Sequence, residues 1–168
     1  GLRAPLPDLF LAVGSFQRTL VRIVVMSKHQ TLMTRAYKKW ANGMTYLDFL
    51  QALNVTERRA VTLGNLNYQV GNGGFLQWAD NRYIQGLEHL REALTAVGTP
   101  AAVKVLAIVN QDAETYERNE TKLRRWVDTD DAEDDTFECL DEFDSAFNEV
   151  SAQLLRDSDN FFRQKQAA

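Results

Sequence analysis

From about residue 30 onward the apolar residues of this 168-residue chain recur at three- and four-residue intervals. No stretch alternates apolar and polar side chains as a half-buried strand does. That spacing confines the chain to helices. Thr31 to Ala41 predicts a first short helix that stops at Asn42-Gly43. Thr45 opens a second, with Asp48 at its third position as a capping box and Leu47, Leu50 and Leu53 as its apolar stripe. Thr56 caps a third, in which Ala60, Leu63, Leu66 and Val70 share a face and which Asn72-Gly73-Gly74 ends. A short helix carrying Phe75, Trp78 and Ala79 comes next. Ile84, Leu87, Leu90, Leu94 and Val97 mark another, stopped by Gly98 with Pro100 beyond it. Residues 101–109 are apolar on nearly every side, which predicts a central, buried helix running to about Glu117, with a further turn at Leu123–Val127. Thr136 starts a long last helix with Phe137, Leu140, Phe143, Phe147, Val150 and Leu154 on one side. The expected fold is all-α, an irregular single-domain bundle of about seven helices.

The size suits one core, and 45% hydrophobic residues against 25% charged argue against a disordered chain. One cysteine, Cys139, leaves no intramolecular disulfide to form, and no apolar run reaches the roughly 20 residues of a membrane span. A cytoplasmic location is the expectation, with no membrane contact. Residues 1–25 read differently from the rest. Arg18 and Arg22 interrupt the apolar stretch from Leu9 to Val25, which is the wrong place for the charge of a secretory signal. An upstream extension, an appended helix, an organelle transit peptide and a mis-assigned start all fit, and Met26-Ser-Lys-His resembles a bacterial or phage start. The expected organisation is an N-terminal extension over 1–28 and one helical domain over 29–168.

Charge is regional. Residues 1–60 carry a net +6, residues 61–127 balance, and residues 128–168 carry a net −10, within a total of −4. Between Asp128 and Glu149 there are eleven acidic residues and no Lys or Arg. On a helix turning about 100° per residue, Glu138, Glu142 and Glu149 point away from the apolar side centred at Phe147. Asp134 and Asp135, if helical, fall on that outer side too, and Asp141 and Asp144 lie nearer the flank. Like charges at this spacing repel by a few tenths of a kcal/mol per pair. A solvated face is the plain explanation, and acids at a helix start also favour its macrodipole. The functional explanation is a surface for a basic partner. Duplex DNA presents one negative charge per roughly 1.7 Å of axis, and a rigid array of carboxylates can occupy the cleft that reads it. The residues expected to carry such a contact are Asp128, Asp130, Asp131, Glu133, Asp134, Asp135, Glu138, Asp141 and Glu142.

Gln69 to Asn81 reads as a helix, a tight turn and a second helix. Asn72 and Gly73 close the first, Gly74 lets the backbone turn, and Phe75 and Trp78 face the core. Gln77 and Asn81 share a face, from which they are expected to hydrogen-bond freed backbone groups. The turn lacks the Lys-Ser/Thr of a P-loop, and no strand precedes it.

At these residues the chain resembles a family of small helical DNA-mimic proteins typified by an acidic neisserial member. Its pattern of Asn-Gly-Gly-Phe, a Gln two further on, an aromatic and an Asn is met by Asn72, Gly73, Gly74, Phe75, Gln77, Trp78 and Asn81. A later Leu-Asp-x-x-Asp-x-x-Phe element is similar to Leu140 through Phe147. Gln69 stands where an acid is usual, and Thr99 where Ala is. The resemblance covers roughly residues 60–160. It implies an all-helical domain, often dimeric, that sequesters a DNA-binding regulator through surface carboxylates; other relatives look like immunity proteins of toxin systems. The shared motifs are expected to hold the fold, and mimicry to depend on the charge pattern.

No catalytic constellation is present. His29 lies near the N-terminus, His89 reads as a surface residue beside Glu88, and Cys139 sits among acids that blunt a thiolate. The acidic segment fails the EF-hand pattern, with Glu133 and Cys139 where Gly and Glu belong. The expectation is a non-enzyme with no metal and no cofactor. It would be a DNA mimic whose acidic surface occupies the DNA-binding site of a basic partner (a transcription regulator, a nuclease or a phage-defence effector) and inhibits it. Two alternatives stay open. One is an immunity protein that neutralises a toxin. The other is a nucleic-acid-binding module using Arg18, Arg22, Lys28, Arg35, Lys38, Lys39, Arg58 and Arg59, although no groove-reading motif accompanies them. The mimic itself would bind no nucleic acid, and the resemblance implies a homodimer.

Overall fold

The computed structural model describes residues 26–129 and 135–165, with side chains described over 26–118 and 141–165. Among the described residues six α-helices follow one another: α1 (Lys28–Tyr37), α2 (Tyr46–Ala52), α3 (Val55–Asp80), α4 (Leu87–Val97), α5 (Pro100–Thr129) and α6 (Asp135–Gln164). A 3₁₀ turn, Tyr83–Gly86, precedes α4, and there is no strand among the described residues. The all-α bundle expected from the spacing is what the chain forms.

Three capping boxes start the first three helices. Ser27 with Gln30 opens α1, Thr45 with Asp48 opens α2, and Asn54 with Glu57 opens α3. In each, the cap side chain accepts an N–H three residues on, and that residue's side chain reaches back to the cap N–H. The second box is the expected one. The other two shift boundaries: α1 begins before Thr31 and ends at Tyr37, and Asn54 rather than Thr56 caps α3. In α2 the inward face is Tyr46, Phe49 and Leu50, while Leu47 is 36% exposed. The tertiary partner decides this, because Phe49 fills the space against Tyr37 and Trp40 at centroid distances of 5.3 and 4.5 Å.

The central element is α3, not the helix beginning at 101. It packs against α1, α2, α4, α6 and the 3₁₀ turn, and Ala60, Leu63, Leu66 and Val70 are all buried on it, as their spacing predicts. The next helix, α5, lies along α4 and α6. It buries Ala102, Val105 and Val109 but leaves Val103 59% exposed. A stretch apolar but for Lys104 thus occupies a two-sided position, because small and β-branched residues are tolerated facing water. It also runs unbroken to Thr129, past the expected stop near Glu117. Gly98, in the left-handed region at φ 65°, ends α4 as expected. The α6 helix closes the bundle, placing Phe147, Leu154 and Phe162 in the core shared with α3 and α5.

A candidate acidic interface on the last helix

The described acids of α6 divide into two sets. One set is turned inward to hold other elements. Asp144 Oδ1 accepts the Phe75 N–H at 2.8 Å, Asp159 Oδ1 accepts the His29 N–H at 3.1 Å, and Asp157 Oδ2 accepts from the Thr99 hydroxyl at 2.6 Å. These are the starts of a helical segment in α3, of α1 and of α5, where backbone donors lack intrahelical partners. Asp144 and Asp159 therefore act as caps supplied from another helix, where the helix dipole favours their charge, while Asp157 holds the Thr99 hydroxyl that itself accepts the Ala102 N–H at 3.4 Å. The Arg163 guanidinium also pairs with Asp159 at 2.7 Å. Burial pushes the Asp159 carboxyl up, but these donors outweigh it and hold the group below its ordinary range.

The other set faces water. Asp141 and Glu142 are exposed near the start of α6, and Glu149 further along is exposed with Lys104 of α5 at 3.6 Å. Of the nine residues expected to form the partner surface, Asp141 and Glu142 are therefore seen on the outside. Asp135 and Glu138 belong to the first turns of α6, and Asp128 to the end of α5; their side chains lie outside the described residues. Asp130, Asp131, Glu133 and Asp134 lie outside the described residues altogether. What the fold supplies is a helical backbone from Asp135 onward. It sets positions 138 and 142 one turn apart on the same helix, with α5 alongside.

The Asn-Gly-Gly segment is built to hold α6 in place. Gly73 (φ −150°, ψ 21°) and Gly74 (φ 72°, ψ −177°) break α3 into two helical parts. Gly74 lies where side chains are strained, and a Cβ there would also overlap the Asp144 carboxylate. The break frees the Phe75 N–H that Asp144 accepts. Three residues along α6, Phe147 meets Phe75 edge-on at 5.8 Å, and Trp78 meets Phe75 at 6.1 Å. Asp144 and Phe147 lie on one face of α6, so the two sequence motifs that carried the family resemblance touch each other. Across the break, Gln69 Oε1 accepts from both Gln77 Nε2 at 2.9 Å and Asn81 Nδ2 at 2.8 Å. These amides were expected to meet backbone groups. They meet a side chain because Gln69, buried two turns before Gln77, brings its acceptor to them across the kink. Asn72 is exposed at the apex.

Most cations of the front third are engaged within α1 to α4, and Arg59 also lies over the Phe161 ring of α6, 5.8 Å from its centroid. Glu57, 2% exposed, receives Lys39 Nζ at 2.6 Å and Arg35 Nε at 3.2 Å. Burial pushes the Glu57 carboxyl up, but Lys39, the cap N–H and Arg35 together hold it below its ordinary value. Arg58 donates to the Leu50 and Leu53 carbonyls at 2.8 and 2.9 Å, capping the end of α2. Arg59 forks onto Glu92 of α4 through two nitrogens. Lys28 is half-buried and Lys38 exposed, while Arg18 and Arg22 lie outside the described residues.

Both histidines are more enclosed than their places in the sequence suggest. His29 is 4% exposed, not loose: its Nε2 lies 2.7 Å from the Ala60 carbonyl, its ring tilts against Phe162, and burial lowers its pKa. His89 is half-buried beside Arg58, and burial and that charge lower it as well. Sequence reasoning missed His29 because Ala60, Asp159 and Phe162, its partners, are distant in the chain. The Ser27/Gln30 box was the local sign that α1 starts early enough to bury it. No group of three or more His, Cys, Asp or Glu residues able to hold a metal occurs among the described residues. No helix among them is long and apolar enough to cross a membrane.

Fold and site together define a class: a helical bundle whose last helix ties its inner aspartates to its neighbours and turns its outer carboxylates to water. The model of the DMP19-like protein family matches residues 51–165, over half of the chain, and the protein belongs to that family. The matched stretch contains α3 to α6, and so both motifs that meet at the kink. No curated protein and no solved structure matches the chain.

Proposed function

We propose that this protein is a non-catalytic DNA mimic. Its outer carboxylates occupy the DNA-binding site of a basic partner, such as a transcription regulator, a nuclease or a phage-defence effector, and so inhibit it. The observation that carries this reading is the exposed Asp141 and Glu142 on a helix already formed at Asp135, within a stretch that holds no Lys or Arg from 128 to 149. Carboxylates on a helix keep fixed spacings, as phosphates on a duplex do, and the array loses no chain entropy on binding. Membership of a family of DNA mimics supports the same reading.

Arg35, Lys39, Arg58 and Arg59 are matched to carboxylates and carbonyls of their own neighbourhood. That weighs against these four as phosphate-binding residues, since each of their contacts to DNA would have to displace an existing one. In this reading the protein needs no cofactor, works in the cytoplasm and acts as a homodimer. The test is a pull-down from host lysate at low and high salt, with duplex DNA added as competitor. The captured protein is expected to elute with salt and with DNA, and the chain alone is expected to give no gel shift with duplex DNA. Capture that DNA leaves untouched, or a gel shift by the chain itself, contradicts the proposal.

A further inference from the structure

Asp112, midway along α5, is 1% exposed, and neither of its carboxylate oxygens has a hydrogen-bond partner among the described residues. An ionised carboxylate in such a place costs several kcal/mol unless something pairs with it. Among the described residues no cation does. From α4, Arg91 reaches α5 at Asn110, at 2.7 Å, and binds Glu88. On α5 itself Arg118 pairs with Glu114, and Lys104 leans to Glu149. From α6 comes Asp144, another acid, with Asp141 acting on it in turn.

The two acids are not equivalent. Burial raises the Asp144 carboxyl above its ordinary range, but it has a fixed donor in the Phe75 N–H, which favours its charged form. Asp112 has none. We propose that Asp112, buried on α5 with neither oxygen hydrogen-bonded, is carried protonated in the folded protein, and that the Asp144 carboxylate of α6 is the neighbouring charge that keeps it so. Burial, and then the charge of Asp144, push the Asp112 carboxyl up to about 7, so the proton is retained up to neutral pH. In the unfolded chain the same group ionises near its ordinary 3.8. The folded state therefore binds the extra proton between those two values, and stability contributed by the pair falls as pH rises across them. Above them a second negative charge acts on Asp144, with no cation paired to Asp112 among the described residues.

The inference concerns the protein alone and stands or falls independently of any partner. The experiment is a carboxyl-carbon NMR titration of the full chain from pH 4 to 9, on the wild type and on Asp144→Asn. It is accompanied by denaturant midpoints for both and for Asp112→Asn. Asparagine at 144 keeps an oxygen for the Phe75 N–H, so that fold is retained. Expected are a wild-type Asp112 signal that titrates near neutrality and a midpoint for that signal moved down in Asp144→Asn. Asp112→Asn is also expected to show a smaller loss of stability between pH 5 and 8 than the wild type. An Asp112 signal that titrates with the ordinary carboxylates near pH 4, or one that Asp144→Asn leaves unmoved, overturns the proposal; the wild-type titration decides it even without the Asp112 variant.

Discussion

The front third and the beginning of α6 use charge in opposite ways. In the front third the cations meet partners of their own neighbourhood: two converge on buried Glu57, one caps α2, one forks onto Glu92. At the start of α6, Asp141 and Glu142 meet water. Charge in the first region is part of the architecture, so altering it should be felt as lost stability. Charge in the second contributes little to folding, because exposed pairs contribute at most about 1 kcal/mol, so altering it should be felt in what the protein binds. Asp144 marks the boundary, since it belongs to the acidic stretch by sequence and to the core by contact.

The sharpest way to test that boundary is Gly74→Ala. The substitution puts a side chain at φ 72° and against the Asp144 carboxylate, and should cost about 3 kcal/mol in denaturant unfolding, at the upper end for a strained backbone position. Next comes Glu57→Gln, expected to cost about 2 kcal/mol by weakening hydrogen bonds to charged groups. The Glu57 carboxyl is held below its ordinary 4.5. Its stabilisation is therefore complete above that pH and lost as pH falls through the folded value, and Glu57→Gln should remove this acid-side dependence.

A smaller effect belongs to His29. Burial lowers its pKa from 6.5, so the unfolded chain takes the proton first. Stability from this site is complete above pH 6.5 and declines as pH falls below it. His29→Gln, compared with the wild type at pH 7 and pH 5, should flatten that decline; parallel curves would mean that the ring is protonated in place. The smallest effect should come from Asp141→Asn with Glu142→Gln, which ought to change stability by less than about 0.5 kcal/mol. A larger loss would make these two acids part of the architecture and erase the contrast.

The parts of the fold that were legible in the sequence are those set by near neighbours. The Thr45–Asp48 box, the Ala60–Leu63–Leu66–Val70 stripe and the Gly98 stop each depend on residues within a turn or two, and each is found as read. What the sequence hid depends on distant partners. Leu47 carried the right spacing to be buried, but Tyr37 and Trp40 selected Phe49 instead. Residues 101–109 looked central because they are apolar on nearly every side, yet α3 takes the centre through contacts with nearly every other element. The same holds at the site. The acidity of residues 128–149 was plain, but its division was not: Asp144 faces in because the kink offers an unpaired N–H, which no count of charges reveals. Asp112, one acid among balanced charges in the middle of the chain, gave no sign of its burial.

The claim on which the functional reading depends is that the outer acids of α6 serve binding and not folding. The most direct measurement replaces Asp135, Glu138, Asp141 and Glu142 together with Lys and compares partner capture with the wild type, while circular dichroism follows the helices. The account predicts a fall in capture of more than about tenfold with the helical spectrum unchanged. Capture at the wild-type level by a folded variant would contradict it.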